Sequence, residues 1–254
     1  MNNFDRHLTE LLIDLKENHN VIAVKTEFET EGTSLFEAEK LCNIVKYTDL
    51  KFTTKIGGSG ALNDIINAKK LNSDTIVAPM IESPYALKKF VETIKLVYTE
   101  EEIKNIQLLI NIETITGLNN LKDIINSEEF NYIDGIVLGR NDLVSSMNLD
   151  KNQVNSNNIL YIANDIAKEI ENKNKLLIIG GCVDENSIYF FNKINSKAFI
   201  GFETRKIVFK NTNNIKRESI LKAIEFEINW LRKKEEKNNI DINRINHLEK
   251  IFVK

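Results

Sequence analysis

IQLLINIETITGLNNLKDIINSEEFNYIDGIVLGR, residues 106–140, reads as strand, helix, strand. Its two ends, IQLLINIE (106–113) and GIVLGR (135–140), are short and nearly continuous in apolar residues. That is how a strand reads when both of its faces are buried in a parallel sheet. Outward from this unit the same strand signal recurs in VIAVKTEF (21–28), LKFTTKIG (50–57), TIVAPMI (75–81), KLLIIGG (175–181) and AFIGFET (198–204). The stretches between them are helical by period. Ala86, Leu87, Phe90, Ile94 and Val97 recur at three and four within 83–97, as do Ile159, Ile162, Ala163, Ile166 and Ile170 within 159–170. Strand and helix alternating this regularly make βαβ units with right-handed crossovers. The expected class is α/β, a TIM-type (β/α) barrel. Seven strand signals against the usual eight imply a barrel that is irregular, lacks an N-terminal strand or hides one in 1–20. An open doubly wound sheet is the alternative.

The chain has 254 residues, a length for one large domain or at most two small ones. With 10 glycines and 2 prolines, repetitive Pro/Gly-rich classes are excluded. A net charge of -3 speaks against a basic footprint for nucleic acid. The longest apolar runs, such as LLII (176–179), fall far short of the roughly 18 residues of a membrane helix, and MNNFDRHLTELL at the start lacks a signal-peptide core. Cys42 and Cys182 make no disulfide framework and suit a reducing interior. A soluble cytoplasmic protein is expected. The abundant Asn and Ile are read as genome base bias.

The division expected is a barrel domain over 1–209 and a helical arm over 210–254. In the arm, 214–236 reads as a long helix with Ile220, Leu221, Ile224, Ile228 and Leu231 on one stripe, followed by the charged run RKKEEK (232–237). A shorter helix over 241–252 carries Ile242, Ile245, Leu248 and Phe252. Such apolar stripes must be buried, against the barrel or against a neighbouring subunit.

In a parallel barrel the active groups lie at the C-terminal ends of the strands. Those ends carry Lys25, Glu27 and Glu29; Lys55 and Gly57-Gly58-Ser59-Gly60; Glu82; Asn111 and Glu113; Arg140, Asn141 and Asp142; Cys182 and Asp184; Glu203 and Arg205. Glu113 and Asp142 stand out because they close neighbouring strands, which run about 4.8 Å apart. Two carboxylates at matching heights repel unless a proton or cation lies between them, and a hard divalent ion suits them. Glu113 as a first-turn helix acid and Asp142 as an N-cap are the structural readings to weigh against this. The backbone of the 57–60 loop can hold a carboxylate or phosphate. Lys25, Lys55, Arg140 and Arg205 add positive charge, and Arg140, directly before the acidic pair, is expected to grip a substrate carboxylate. A lysine that is desolvated or crowded by cations is expected to have its pKa lowered toward proton transfer. None of His7, His19 and His247 falls at a strand end, so a histidine zinc site or triad is not expected, and His19 and His247 read as solvated. Cys182 reads as small-residue packing, and Asp184 as a helix N-terminal acid.

At these residues the sequence resembles the HpcH/HpaI-type aldolases and citrate lyase beta subunits, of the phosphoenolpyruvate/pyruvate-domain barrels. The segments are TIVAPMIESPYAL (75–87), LLINIETITGLNNLKDI (108–124) and IDGIVLGRNDLVSSMNL (133–149), and the likeness runs over roughly 20–209. The resemblance implies Mg2+ (or Mn2+) held by Glu113 and Asp142, binding a pyruvate-like 2-oxo acid and stabilising its enolate as a carbon–carbon bond is broken or made. It also implies a homo-oligomer. Two positions depart from the family. Lys55 stands where its aldolases carry Arg, and KTEFE (25–29) has Phe28 where they carry His.

The function expected is therefore a divalent-metal-dependent carbon–carbon lyase, aldolase or synthase on a small 2-oxo acid. Glu113 and Asp142 are the metal ligands. Arg140, Gly57, Gly58, Ser59 and Asn111 are the substrate-binding set. Lys55 is the enolate stabiliser, with Lys25 and Glu27 for proton transfer, and Glu82 is a water-mediated ligand. A phosphoenolpyruvate-using transferase and a non-catalytic oxo-acid or acyl-CoA-binding barrel are the alternatives.

Overall fold

The computed structural model describes residues 3–212, 215–234 and 237–252. Along the chain run α1 (Asn3–His19), β1 (Val21–Glu27), α2 (Leu35–Val45), β2 (Lys51–Lys55), α3 (Leu62–Lys70), β3 (Thr75–Ala78), α4 (Pro84–Val97) and the single turn α5 (Glu100–Ile103). They are followed by β4 (Gln107–Ile112), α6 (Ile115–Asn119), α7 (Leu121–Asn126), β5 (Gly135–Gly139), α8 (Arg140–Ser146), α9 (Asn157–Glu171), β6 (Leu176–Gly180) and α10 (Asn186–Phe191). The chain ends in β7 (Phe199–Glu203), β8 (Ile207–Lys210), α11 (Arg217–Lys233) and α12 (Asn239–Phe252).

The eight strands close into a barrel in sequence order, which removes the open-sheet alternative. Each pair from β1–β2 to β6–β7 is parallel. The eighth strand is not in 1–20, which is α1. It is β8, which turns back from β7 and closes the barrel antiparallel to both β7 and β1. A hairpin needs only a short turn where a parallel neighbour needs a crossover. Here the turn is Thr204–Lys206, fastened by Thr204 N–H donating to the Ile207 carbonyl (2.9 Å) and Ile207 N–H donating to Thr204 Oγ1 (3.2 Å). Phe202 and Phe209 are register partners across the hairpin, their rings stacked with centroids 4.7 Å apart. Such a pair contributes about 0.5–1.5 kcal/mol beyond its burial.

Local signals set the helix starts. Ser34 and Glu37 form a capping box at α2; Ser83, with Pro84 at the first helical position, caps α4; and Ser156 caps α9. The helix expected between the strands at 106–113 and 135–140 is broken at Asn120 into α6 and α7. Helix-to-strand turns use left-handed Asn or Asp rather than glycine: Asn20 before β1, Asp49 before β2, Asn72 before β3 and Asn174 before β6, all with φ between 51° and 57°. Those two residue types adopt that conformation by bonding their own backbone. Part of the asparagine content therefore has a structural use.

The larger core lies between helices and barrel wall; a smaller one, Ala23, Val77, Leu109, Val137, Ile178 and Val208, lines the barrel interior. The arm packs on its own barrel. α11 runs antiparallel to α1, with Lys222 paired to Asp14, Lys233 to Asp5, and Ser219 Oγ 2.9 Å from His19 Nδ1. His19 is thus buried, not solvated, because the returning helix covers it. α12 docks on α11 through Arg244, bidentate to Glu227 (2.7 and 3.1 Å), and through buried Leu248. Met1, Asn2, residues 213–214 and 235–236, and the side chain of Phe252 lie outside the described residues, as do the parts of the expected 214–236 helix and RKKEEK run that fall there. No described helix is long and apolar enough to cross a membrane.

Candidate active site

The C-terminal ends of the seven parallel strands form a mouth ringed by charge. At its centre lies Glu113, one residue past β4 and 2% exposed. Its carboxylate lies over β5 at Gly139, where an added Cβ would meet Glu113 Oε2 at 2.7 Å, so only glycine fits. Met80 N–H donates to Oε1 (3.0 Å), and Asn111 Nδ2 donates to Oε2 (2.8 Å). Burial and the nearby Asp142 push the Glu113 carboxyl above the ordinary value, against Lys55 and these two donors, which pull it down. Asp142 sits in the first turn of α8, not at its cap, which is Gly139; it accepts from Asn141 Nδ2 (3.1 Å).

Lys55 faces three acids. Its Nζ is 2.7 Å from Glu29 Oε2, 3.7 Å from Glu113 Oε2 and 4.0 Å from Glu27 Oε1. Burial alone pulls its pKa down, but Glu113, Glu27 and Glu29 more than reverse this and hold the ammonium well above the ordinary lysine value. The expectation of a lowered lysine pKa fails here because acids, not cations, crowd it. Lys55 is a fixed positive charge. Glu27 has the mirror situation: burial pushes it up, and Lys55, Lys25, Arg205 and Lys206 outweigh that, so it stays ionised. Lys25 on β1 pairs with Glu203 on β7, the two strands on either side of β8, and both are buried.

Two residues not singled out from sequence complete the ring. Lys206, at the end of the hairpin turn, is 1% exposed and pairs with buried Glu31. Their signal was the TRK turn (204–206) and the second acid of ETE (29–31), readable only once β8 is known to turn back at the mouth.

The structure moves other expected residues away. Arg140 is fully buried (0% exposed), with its guanidinium between the rings of Phe190 (4.8 Å) and Phe191 (5.2 Å). Its five N–H donors meet five acceptors. Nε donates to the Gly180 carbonyl (3.0 Å), Nη1 to the Val154 carbonyl (3.4 Å) and Asn155 Oδ1 (2.5 Å), and Nη2 to the Gly181 carbonyl (3.0 Å) and Ser187 Oγ (3.4 Å). Burial lowers its pKa to about 10. No donor is left for a substrate; Arg140 instead ties the end of β5 to the loop after β6. That loop passes so close to α8 that a Cβ at Gly181 (φ +84°) would meet Asn141 N at 2.5 Å.

In the 57–60 loop, the Gly57 N–H already donates to Asp64 Oδ2 (2.7 Å), a carboxylate of the chain itself in the place expected for a ligand's. Gly58 and Ser59, both half-buried, remain. Glu82 Oε1 accepts from Thr114 Oγ1 (2.5 Å), next to Glu113 in sequence. Cys182 is exposed rather than packed, its Sγ 3.1 Å from Asn141 Oδ1. Asp184 does accept from Ser187 N–H (3.0 Å) at the start of α10.

Does a divalent cation fit? Glu113, Asp142 and Asn111 make an oxygen-only set, and Asn111 Oδ1 is buried without a hydrogen-bond partner. Hard ions take such donors. Among the described residues no three His, Cys, Asp or Glu side chains gather into a metal cage, so an ion here would keep waters or substrate oxygens. Around the mouth the acids Glu27, Glu29, Glu31, Glu113, Glu203 and Asp142 outnumber the cations Lys25, Lys55, Arg205 and Lys206, leaving negative charge for an ion to offset. The residues fit.

Residues 56–180 match the HpcH/HpaI aldolase/citrate lyase family profile. No curated protein matches the chain significantly. Among solved structures the chain is similar to an HpcH/HpaI aldolase from Desulfitobacterium hafniense DCB-2, with TM-score 0.61, 9% identity, and 78% of this chain and 82% of that one covered. An HpcH/HpaI aldolase/citrate lyase family protein from Burkholderia cenocepacia J2315 gives TM-score 0.61 at 10% identity, with 79% and 83% covered. Citrate synthase SbnG gives TM-score 0.59 at 15% identity, with 78% and 82% covered. At these identities the likeness to the solved structures is one of fold, and the match to the HpcH/HpaI aldolase/citrate lyase family is over the segment that carries Glu113 and Asp142.

Proposed function

We propose that this barrel is a divalent-cation-dependent carbon–carbon lyase or aldolase acting on a pyruvate-like 2-oxo acid. The observation that carries the reading is the oxygen-only set Glu113, Asp142 and Asn111, with the Lys55 ammonium 3.7 Å from Glu113. Bound there, Mg2+ or Mn2+ would act as a Lewis acid on the oxo acid.

The chain's own residues supply the rest. Lys55 is a buried, permanent positive charge beside the set, suited to stabilise negative charge developing on the substrate's keto oxygen. It does so as a point charge, without the fork that arginine would offer. Glu27, held ionised, can accept a proton. In cleavage of a 4-hydroxy-2-oxo acid it takes the hydroxyl proton, the bond between C3 and C4 breaks, and the electron pair moves toward the keto oxygen near Lys55. Lys25, locked to Glu203, keeps Glu27 charged rather than moving the proton itself. Gly58 and Ser59 present backbone to a carboxylate at the rim.

The test is turnover of a panel of 4-hydroxy-2-oxo acids with Mg2+ and with Mn2+, alongside Glu113→Gln and Asp142→Asn. The expected result is a fall of roughly 100-fold or more in kcat/KM for each variant. Equal activity in wild type and both variants removes the mechanism. Phosphate release from phosphoenolpyruvate would instead favour a transferase, and oxo-acid binding without turnover a binding barrel.

A further inference from the structure

The mouth's cations differ in one respect that bears on what it binds. Lys25, Lys55 and Lys206 are buried and each is committed to a carboxylate, and all five donors of Arg140 are spent on the protein. Arg205 is otherwise. Its side chain is 29% exposed, and its nearest carboxylate oxygen, Glu31 Oε1, is 3.8 Å from Nε, beyond hydrogen-bond reach. Lys206 and Thr33 Oγ1 (3.3 Å) engage the other oxygen of Glu31, Oε2, so Oε1 holds Arg205 by charge alone, without a hydrogen bond.

Arg205 is also held where it is. It forms the middle of the β7–β8 turn, with Glu203 anchored to Lys25 before it, Lys206 buried after it and the Phe202–Phe209 stack below. Lys25 N–H donates to the Lys206 carbonyl (2.8 Å), so the turn is stitched to β1, the strand that carries Glu27. The positive charge of Arg205 helps keep the Glu27 carboxyl low, which puts it over the same mouth. A regular barrel would have a strand-to-helix loop here; the antiparallel closure substitutes a rigid tip with a guanidinium on it.

We propose that Arg205 is a specificity residue that grips a second, distal carboxylate of the substrate, so that the site prefers dicarboxylic 2-oxo acids to monocarboxylic ones. The reading rests on the oxo-acid function proposed above. A monocarboxylic oxo acid places its only carboxylate and its keto oxygen at the cation set. The far end of a longer acid then lies toward the rim, where a planar fork with unspent donors matches a carboxylate bidentately.

The probes are 2-oxoglutarate and 2-oxopentanoate, five-carbon acids that differ in the distal carboxylate. Each is titrated calorimetrically, with Mg2+, into wild type, Arg205→Met and Arg205→Lys. Wild type should bind 2-oxoglutarate more tightly. Arg205→Met should weaken that acid by roughly tenfold to hundredfold and leave 2-oxopentanoate unchanged, as expected for a charge-assisted hydrogen-bonded pair. Arg205→Lys should recover part of the loss. Melting temperatures should fall by no more than a few degrees for Arg205→Met and less for Arg205→Lys, since the side chain makes no hydrogen bond in the protein and contributes only its charge beside Glu31 and Glu27. Equal wild-type affinity for the two acids, or an equal loss on both in Arg205→Met, overturns the assignment alone. Failure of wild type to bind either acid overturns it together with the oxo-acid function.

Discussion

The barrel interior has two levels built on opposite principles. Its floor is Ala23, Val77, Leu109, Val137, Ile178 and Val208, a thin apolar layer that leaves a cavity of about 380 Å3 lined also by Ile22, Thr53 and Ile200. Its mouth packs acids and lysines that are nearly as buried as the floor. The floor is held by contact and tolerates imperfect filling. The mouth is held by charge balance, where removing one partner leaves a buried ion unpaired, a much larger cost than a missing methyl group. The same strands carry both levels, because successive inward positions such as Ala23, Lys25 and Glu27 on β1 climb from one to the other.

Three substitutions sharpen or break this contrast. The largest effect is expected for Lys55→Met. It strands Glu27, Glu29 and Glu113 together, so chemical denaturation should show a loss of roughly 3–5 kcal/mol along with lost turnover. A loss below about 1 kcal/mol would mean that the acids are not held by this lysine. Next is Leu109→Ala in the floor. Because Leu109 already borders a cavity, the loss should lie near the low end of the range for such truncations, about 2 kcal/mol, with kcat/KM per folded molecule unchanged. A large change in activity would show that the two levels are coupled. The smallest effect is the pH dependence of Glu27. Its carboxyl is held below its ordinary value, so the stability it contributes is present above the unfolded value near 4.5 and is lost as pH falls through the lower folded value. The stability difference between wild type and Glu27→Gln should therefore shrink as urea midpoints are followed from pH 6 downward; a difference constant down to pH 3 contradicts the ion-pair account.

The seven parallel strands were legible because each is a short apolar run between turn signals, and α4 and α9 because their apolar positions keep a helical period. The eighth strand was not. IVFK (207–210) follows AFIGFET (198–204) after only two residues, so no helical period separates the two runs. Glu113 was legible as a strand-end acid from its place in the chain, since register carries it to the mouth whatever the loops do. Arg140 and Arg205 show the limit of that reasoning. Both follow strand ends and look alike in sequence, yet α8 begins at Arg140 itself and turns its side chain under Phe190 and Phe191, while the hairpin leaves Arg205 on the rim.

By itself the sequence determined the alternation of strand and helix, the end of the barrel that bears charge, and the acidic pair at neighbouring strands. These follow from periodicity and residue order, which are local. The antiparallel closure, the burial of His19 under α11 and the upward hold on the Lys55 charge came only with the tertiary structure. So did the choice of which arginine remains open. Each depends on distant segments meeting: burial and electrostatic pairing are properties of the neighbours in space, and a chain read in order does not contain them.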